Sequence, residues 1–241
     1  MKAACLALVA AAGCMTSPTD TPQPDQPQLW LELDASELAI TLVRGFDHDV
    51  AGATASVNNI AIGAPPEVTP GRPATLDEDP TPALATFRIA ASLLTGPAVH
   101  VQVRDEGGTF TADVADLTTP RTVTVLTALD QPLTGSESIA VASNVASDTL
   151  IADRIGIVVG GQTCSISGPF VHQGDAWTAA LVPGFTDWSC GERPAPGTTL
   201  DATLDLVIDL GAQATCSAAA CTIVRPLGAH FRAQPAVTLH F

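Results

Sequence analysis

The sequence predicts an all-β protein with two consecutive antiparallel β-sandwich domains, on three observations. From Leu29 onward, polar and apolar residues alternate with a period of two, most clearly from Leu204 to Leu210, as expected of strands with one buried face. The strand-like segments are short, rich in Val, Ile, Thr and Ala, and bounded by Gly, Pro, Asn or Asp. No stretch gives a convincing amphipathic helix, and Ala91 to Leu94 is long enough for one helical turn only.

The residues before these strands have a different composition. Met1-Lys2 is followed by a continuous apolar run, Ala3 to Ala12, which is shorter than the roughly twenty residues that a membrane-spanning helix needs. A short apolar run after a positive charge is typical of a signal peptide, here residues 1–13. Residues 14–28 are expected to be a disordered linker, because the Pro-rich stretch from Thr16 to Gln28 has too little apolar surface to fold.

The junction Ala11-Ala12-Gly13-Cys14 resembles the lipobox of bacterial lipoproteins. The resemblance implies cleavage before Cys14, acylation of this cysteine, and attachment to a membrane through two or three acyl chains, which is enough for stable anchoring. By the same resemblance, Met15 favours sorting to the outer membrane. The match is incomplete, because Ala11 stands where Leu is usual. The alternative is an ordinary secretory signal cut after Ala12, which leaves Cys14 as an unpaired thiol.

The first β-sandwich domain is predicted over residues 29–130. Turn-forming residues divide it into hairpins, of which Asn58-Asn59 is the tightest, with Asp105 to Gly108 as another. The strand candidates, all short and alternating, are Leu29–Asp34, Leu38–Arg44, Thr54–Val57, Ala85–Ala90, Ala98–Arg104, Thr109–Val114 and Thr122–Leu126.

The segment AVHVQVRDEGGTFTADV, which ends at Val114, is similar to the last hairpin of immunoglobulin-like and fibronectin type III-like domains. In those domains, an alternating run that ends in Asp and Gly precedes the closing strand. His100 stands where such domains often carry Tyr, and this half of the chain has no Cys–Trp–Cys pattern. The resemblance implies an immunoglobulin-like sandwich.

The second β-sandwich domain is predicted over residues 131–241, after a Pro-containing boundary between Thr127 and Gly135. Six strand candidates follow the same pattern: Ile139–Ala142, Arg154–Val159, Trp177–Leu181, Thr203–Leu210, Thr222–Arg225 and Ala236–Phe241. This half also contains every cysteine that follows Cys14.

The four later cysteines are expected to form two disulfides, because an even number of cysteines in an exported chain indicates a disulfide framework. Three pairings are open. The favoured one joins Cys216 to Cys221 and Cys164 to Cys190. A zinc site is the rival interpretation, but the spacing of the cysteines does not repeat as it does in zinc fingers.

The charge balance excludes one class of partner. The formal net charge is −15, and since Lys2 is the only lysine, the rest of the chain has nine arginines against 25 acidic residues. Such a chain repels phosphate backbones, so no nucleic-acid partner is expected. It also lacks a polybasic patch for anionic lipids.

No catalytic residue can be identified from motifs, and no cofactor is expected. The sequence lacks Gly-x-Ser-x-Gly, His-Glu-x-x-His and the glycine loops that hold phosphates. Two acidic clusters are weak candidates for binding Ca²⁺, which takes six to eight oxygen ligands. They contain Asp47 and Asp49, on either side of His48, and Asp77 and Asp79. A solvated loop is the simpler interpretation of both.

Two further groups of residues are candidates for contact with a ligand. Asp201, Asp205 and Asp209 are expected on one face of a strand, where paired carboxylates could hydrolyse a glycoside, or where they simply form the wet face of that strand. Trp177, Trp188 and His172 are weak candidates for binding a sugar or a peptide, although Trp is equally common in the core.

These features favour a non-enzymatic, exported protein, anchored by lipid at the outer membrane or cell surface, with a binding, adhesion or accessory role toward a protein or carbohydrate. Two alternatives remain at this point. One is a secreted carbohydrate-active hydrolase with two acids, and the other is a calcium-stabilised structural module.

Overall fold

The strands of the protein form two stacked pairs of sheets. The structure, a computed structural model, describes residues 26–75, 78–186 and 188–241. Cys14 and the rest of the predicted signal peptide and linker up to residue 25 lie outside the described residues. The first eight strands are β1 (Gln28–Leu33), β2 (Glu37–Arg44), β3 (Thr54–Val57), β4 (Ile60–Ala61), β5 (Glu67–Thr69), β6 (Ala83–Ala90), β7 (Val99–Asp105) and β8 (Gly108–Val114).

These strands form the first sandwich with an immunoglobulin-type topology. One sheet contains β1-β2-β6-β5 and the other β8-β7-β3-β4. In immunoglobulin domains, strands A, B, E and D form one sheet and C, F and G the other, and the same order is present here with β4 added beside the C equivalent. The sequence alternation explains the packing, since Leu29 and Leu31 of β1 point into the core and Trp30 and Glu32 point outward.

The turns of this sandwich follow from local chemistry. Asn58 and Asn59 both have positive φ, 50° and 66°, so they form the two-residue hairpin turn between β3 and β4 that the sequence predicts. The second predicted hairpin joins β7 to β8 across Glu106 and Gly107. Ala91–Leu93 forms a single 3-10 turn after β6, as expected from its length.

The remaining strands are β9 (Val123–Val125), β10 (Ser138–Ser143), β11 (Thr149–Val159), β12 (Gln162–Ser165), β13 (Val171–Gln173), β14 (Ala176–Ala180), β15 (Thr199–Gly211), β16 (Ala214–Ser217), β17 (Ala220–Arg225), β18 (His230–Ala233) and β19 (Ala236–His240). A second 3-10 turn covers Pro183–Phe185.

The second sandwich repeats the topology of the first. One sheet contains β13-β14-β10-β9, and the other contains β12-β11-β15 with both β18 and β19 paired to β15. Pro235 interrupts the last strand between β18 and β19, because proline has no N–H to donate to the ladder. The all-β prediction with two sandwich domains is therefore confirmed.

Two strands of the second half do not join the second sandwich. Between β15 and β18, residues 212–227 leave this domain as a segment named here the interdomain hairpin, whose two strands, β16 and β17, lie in different sheets. β16 adds to the first sandwich beside β8, with Ser217 opposite Thr111, and β17 adds in parallel beside β1, with Arg225 opposite Glu32. The interdomain hairpin thus extends both sheets of the first sandwich.

The strand pairing divides the chain differently from the boundary expected at residue 130. β9 pairs with β10, so the second sandwich begins at Val123, and the Pro-containing stretch 127–135 is a loop within it. Residues 212–227 belong to the first sandwich, although they were expected in the second. Local periodicity identifies a strand but does not show which distant strand it pairs with.

Candidate functional site

A buried ion pair lies where the two sandwiches meet. Arg121, in the connection between β8 and β9, and Asp148, in the loop between β10 and β11, are both fully buried at 0% side-chain exposure. Both Asp148 oxygens accept hydrogen bonds from Arg121 Nε at 3.0 Å, and Oδ1 also accepts one from Nη2 at 2.8 Å. Arg121 Nη1 donates to the carbonyls of Asp116 and Thr119. A bidentate pair of this kind fixes the connection in one geometry.

The backbone around this pair joins three segments. Arg121 N–H donates to the Leu227 carbonyl at 2.8 Å, and Leu227 N–H donates to the Leu117 carbonyl at 3.0 Å. Asn144 accepts from the Thr122 N–H at 2.9 Å through its side-chain oxygen. The junction therefore consists of the connection (116–122), the loop 144–148, and the return from the interdomain hairpin (226–229).

Strand directions place the start of the first sandwich and the end of the second away from this junction. β1 runs from Gln28 toward the junction, since its last residues pair with the end of β17 that leads into residues 226–229. In the second sandwich, β15 starts at Thr199, away from the junction, and β19 ends at His240 beside that start. The start of the first sandwich and the end of the second thus lie on opposite sides of the junction.

The far pole of the second sandwich consists of the loops 127–137, 159–162 and 181–198 with Phe241. Its largest part is the segment 181–198 between β14 and β15. The segment has 3-10 structure only at Pro183–Phe185, and long, largely irregular connections of this kind are often binding loops. The segment is anchored at two points. Cys190 forms a disulfide with Cys164 of β12, with a Cα–Cα distance of 5.5 Å, and Gly197 N–H donates to the Phe241 carbonyl.

Aromatic packing fixes the middle of this loop. The ring of Trp188 meets that of Phe241 edge-on, with centroids 5.0 Å apart, and Phe185 lies 5.4 Å from Phe241 on the centroid measure. The indole N–H of Trp188 is buried and has no acceptor among the described residues. Glu192 and Arg193, by contrast, are exposed. The loop therefore exposes charged side chains next to a cluster of packed aromatic rings.

The neighbouring turn of the far pole is also fixed. Glu137 accepts hydrogen bonds from the Thr134 N–H at 2.9 Å and from the Thr134 hydroxyl at 2.8 Å. Partial burial raises the pKa of the Glu137 carboxyl, but the hydrogen bonds from Thr134 and Ser136 outweigh this effect and hold the pKa below its ordinary value. Glu137 is therefore charged at neutral pH.

The three residues predicted to bind a ligand differ in position. Trp177 lies on β14 in the second core and is buried, so its ring cannot stack on a ligand. His172 is exposed on the edge strand β13, 5.7 Å from the Trp177 ring on the centroid measure. Trp188 is partly buried and packs against the same core from the far pole. The structure thus brings His172 to Trp177 but assigns Trp177 to the core.

The calcium candidates that the structure describes form no metal site. Among the residues that the structure describes, no three His, Cys, Asp or Glu side chains form a group that could hold a metal ion. Asp49 accepts from the Ala51 N–H at 2.9 Å, which makes it part of a local turn. Asp47 lies 3.9 Å from the His48 ring, and Asp79 is exposed in a loop. Asp77 lies outside the described residues.

Both disulfides have the pairing that the sequence favoured. Cys164 bonds Cys190, and Cys216 bonds Cys221 with a Cα–Cα distance of 5.9 Å. The second bond joins β16 to β17 and so links the two sheets of the first sandwich, not of the second. Disulfides of this kind persist in oxidising compartments, which fits an extracytoplasmic domain.

The three aspartates of β15 lie on its outer face and have different partners. Asp201 accepts from the Thr238 hydroxyl at 3.3 Å, and Asp209 lies 2.6 Å from His230 Nδ1. Neighbouring members of this row are four residues apart, about 13 Å along a strand, beyond the 5–9.5 Å that separates the acids of glycosidases. The row therefore does not form an acid pair for glycoside hydrolysis.

Asp205, the middle aspartate, is buried beneath two arginines. Its side chain is only 2% exposed, and Arg154 of β11 and Arg232 of β18 both bind it. Burial raises the pKa of Asp205, but hydrogen bonds from Gln234 and Arg232 and the charges of both arginines outweigh this effect and lower the pKa below 3.8. Neither arginine was predicted from the sequence as a partner of Asp205, although each occupies an outward position of its strand.

A groove of about 530 Å³ lies beside the junction on the first sandwich. Its walls carry two ion pairs, Glu32 with Arg225 and Glu37 with Arg88. The third acid of the groove, Asp34, accepts hydrogen bonds from Ser36 and from the Glu37 N–H, so it is the one described carboxylate of the groove without a guanidinium partner.

Comparison with known proteins adds little to this geometry. No protein-family model matches the chain, and no curated protein matches it. Among solved structures, the full ectodomain (Ig1–Ig3) of mouse nectin-like molecule 4 is similar at 12% identity and a TM-score of 0.27, over 90% of this chain. The chain spans 65% of the length of that ectodomain. The immunoglobulin-type assignment rests on the strand order of the two sandwiches. No helix in the described ranges has the length and apolar character needed to cross a membrane.

Proposed function

We propose that this protein is a lipid-anchored, non-enzymatic binding module of the bacterial cell envelope. Acylated Cys14 would hold it in the outer membrane, the residues between Cys14 and β1 would serve as a tether, and the far pole of the second sandwich would contact a protein or carbohydrate partner. One observation carries the proposal. Gln28, where the first sandwich starts, and the far pole of the second sandwich lie on opposite sides of a fixed junction.

The fixed junction supports this role physically. A module that reaches from a membrane loses less conformational freedom on binding when its domains are already held in one arrangement. The buried Arg121–Asp148 pair and the interdomain hairpin both restrict bending between the sandwiches. In this proposal the Pro-rich residues before β1 act as the spacer, a role that is typical of such a composition.

The anchor is tested by the intact mass of the full chain extracted from the membrane fraction. The proposal predicts a mass that begins at Cys14 and includes two or three acyl chains, with no free thiol after denaturation. A Cys14→Ala variant should be found in the soluble exported fraction with no acyl mass. An unacylated wild-type mass would contradict the anchor.

The contact surface is tested with fluorescent vesicles that carry the full lipoprotein, on arrays of cell-surface polysaccharides and purified envelope proteins. We expect saturable binding to at least one of them. Glu192→Lys, in the far pole, should weaken this binding, whereas the matched reversal Glu106→Lys, exposed in the β7–β8 turn of the first sandwich, should not. Equal loss in both variants would contradict a contact through the far pole.

A further inference from the structure

The outer face of the second sandwich contains a cationic cluster on an acidic protein. Asp205 accepts from Arg154 Nη2 at 2.9 Å through Oδ2. Through Oδ1 it accepts from Arg232 Nε at 3.0 Å and from Gln234 Nε2 at 2.9 Å, and Arg232 Nη2 lies 2.9 Å away. Two guanidiniums therefore share one carboxylate, which leaves one net positive charge.

The second arginine exceeds what is needed to neutralise Asp205. The same protein buries two other aspartates, and among the described ion pairs each has a single arginine: Arg44 for Asp105 and Arg121 for Asp148. Those arginines are themselves buried. Arg154 and Arg232 are instead 60% and 53% exposed, although Asp205 beneath them is buried. Each guanidinium is thus held in place by Asp205 on one side and exposed to solvent on the other.

Most of the donors of this pair remain available. A guanidinium has five N–H donors, and Asp205 accepts one hydrogen bond from Arg154 and one from Arg232, whose Nη2 also lies within ion-pair distance. Hydrogen bonds between the described residues account for none of the others. A planar fork of donors suits the paired oxygens of a carboxylate or phosphate group.

We propose that Arg154 and Arg232 form a binding site for a single oxyanion group carried by an otherwise uncharged or zwitterionic ligand. The proposal does not depend on the lipid anchor or on the far pole. The surrounding charges define the ligand class. Asp209 with His230 and Asp201 with Thr238 lie farther along the same face, and the net charge of the chain is −15. Polyanions are therefore repelled, whereas one oxyanion above the arginine pair is attracted.

The test uses the full chain in neutral detergent micelles, with the arginine Nε–H signals observed by NMR during titration. Glucuronate supplies a carboxylate, glucose 6-phosphate supplies a phosphate ester, and glucose is the neutral control. We expect saturable shifts of Arg154 and Arg232 with at least one of the two anions and none with glucose. The anion that binds more tightly identifies the preferred oxyanion.

Two variants make the result specific. Arg154→Gln leaves Arg232 to neutralise Asp205, so the fold should persist, and the affinity for the anion should fall by about tenfold, as expected for the loss of a charge-assisted hydrogen bond. Arg104→Gln, an exposed arginine on the first sandwich, is the matched control and should leave the affinity unchanged. Absence of saturation with both anions, or equal effects of the two variants, would overturn the proposal. Melting temperatures of both variants well above the titration temperature show that neither variant acts through unfolding.

Discussion

The two sandwiches share a topology but differ in how each is completed. The first sandwich receives β16 and β17 from the other half of the chain, one at the edge of each sheet, and the Cys216–Cys221 disulfide joins them. No strand described in the first half of the chain joins the second sandwich, from which the long loop 181–198 extends instead. The difference suggests a division of roles, in which the first sandwich supports and the second makes contact.

The buried aspartates of the two regions differ in whether their arginine partners are exposed to solvent. At the junction, Asp148 and its arginine are both enclosed, so the pair is structural. On the outer face of the second sandwich, Asp205 is enclosed but its arginines are exposed. Four predictions test this contrast, beginning with the largest effect on the free energy of unfolding.

Asp148→Asn should be the most damaging single substitution. It removes the negative charge opposite Arg121 and leaves a buried, unpaired guanidinium, which costs about 3–5 kcal/mol of unfolding free energy. Urea unfolding of the purified chain measures this loss. Arg104→Gln provides the control, with a change within about 0.5 kcal/mol for an exposed surface residue. If Asp148→Asn lowers the free energy of unfolding no more than the control does, the junction pair does not stabilise the fold.

Removal of the Cys164–Cys190 disulfide should come next. The bond closes a sequence separation of 26 residues, for which chain entropy predicts a loss of about 3.5 kcal/mol in Cys164→Ser/Cys190→Ser. Because the bond ties the loop 181–198 to β12, limited proteolysis should cut the variant first within that loop. First cuts in the first sandwich would contradict the role given to this bond.

Removal of the Cys216–Cys221 disulfide should cost less. The separation is only 5 residues, so Cys216→Ser/Cys221→Ser should lose about 2 kcal/mol. The two double variants differ in loop length and location, and urea unfolding of both in parallel ranks them. A larger loss for the shorter loop would mean that the interdomain hairpin stabilises more through its position between the sheets than through chain entropy.

The smallest effect concerns pH. The pKa of Asp205 is lower in the folded state than its ordinary value of 3.8, so its ion pairs contribute their full stability above that value and lose it as the pH falls through the folded pKa. Asp205→Asn has no such group. The melting-temperature advantage of wild type over this variant should be constant from pH 7 to 5 and shrink below about pH 4. An advantage that grows on acidification would contradict the lowered pKa.

The sequence was sufficient for features encoded locally. Alternation identified the two sandwiches, Asn58-Asn59 predicted its turn, and the close pair Cys216 and Cys221 suggested its own bond. The sequence could not show that β17 lies beside β1, because the residues that pair are far apart in the chain and their side-chain pattern suits either sandwich.

The same limit applies to the candidate site. Asp205 has the outward position expected from alternation, which predicted a wet face. It is buried only because Arg154 and Arg232 fold over it from two strands that are distant in sequence. Trp177 is ambiguous from sequence, since an aromatic residue in an alternating strand suits either a core or a binding surface, and burial on β14 decides for the core.

The central claim is that the interdomain hairpin is an integral part of the first sandwich and so couples the two domains. Hydrogen exchange of the full chain, followed by mass spectrometry at increasing urea, tests it most directly. The account predicts that the amides of β16 and β17 lose protection at the same urea concentration as those of β1 and β8. Rapid exchange in residues 212–227, while β1 and β8 remain protected, would contradict it.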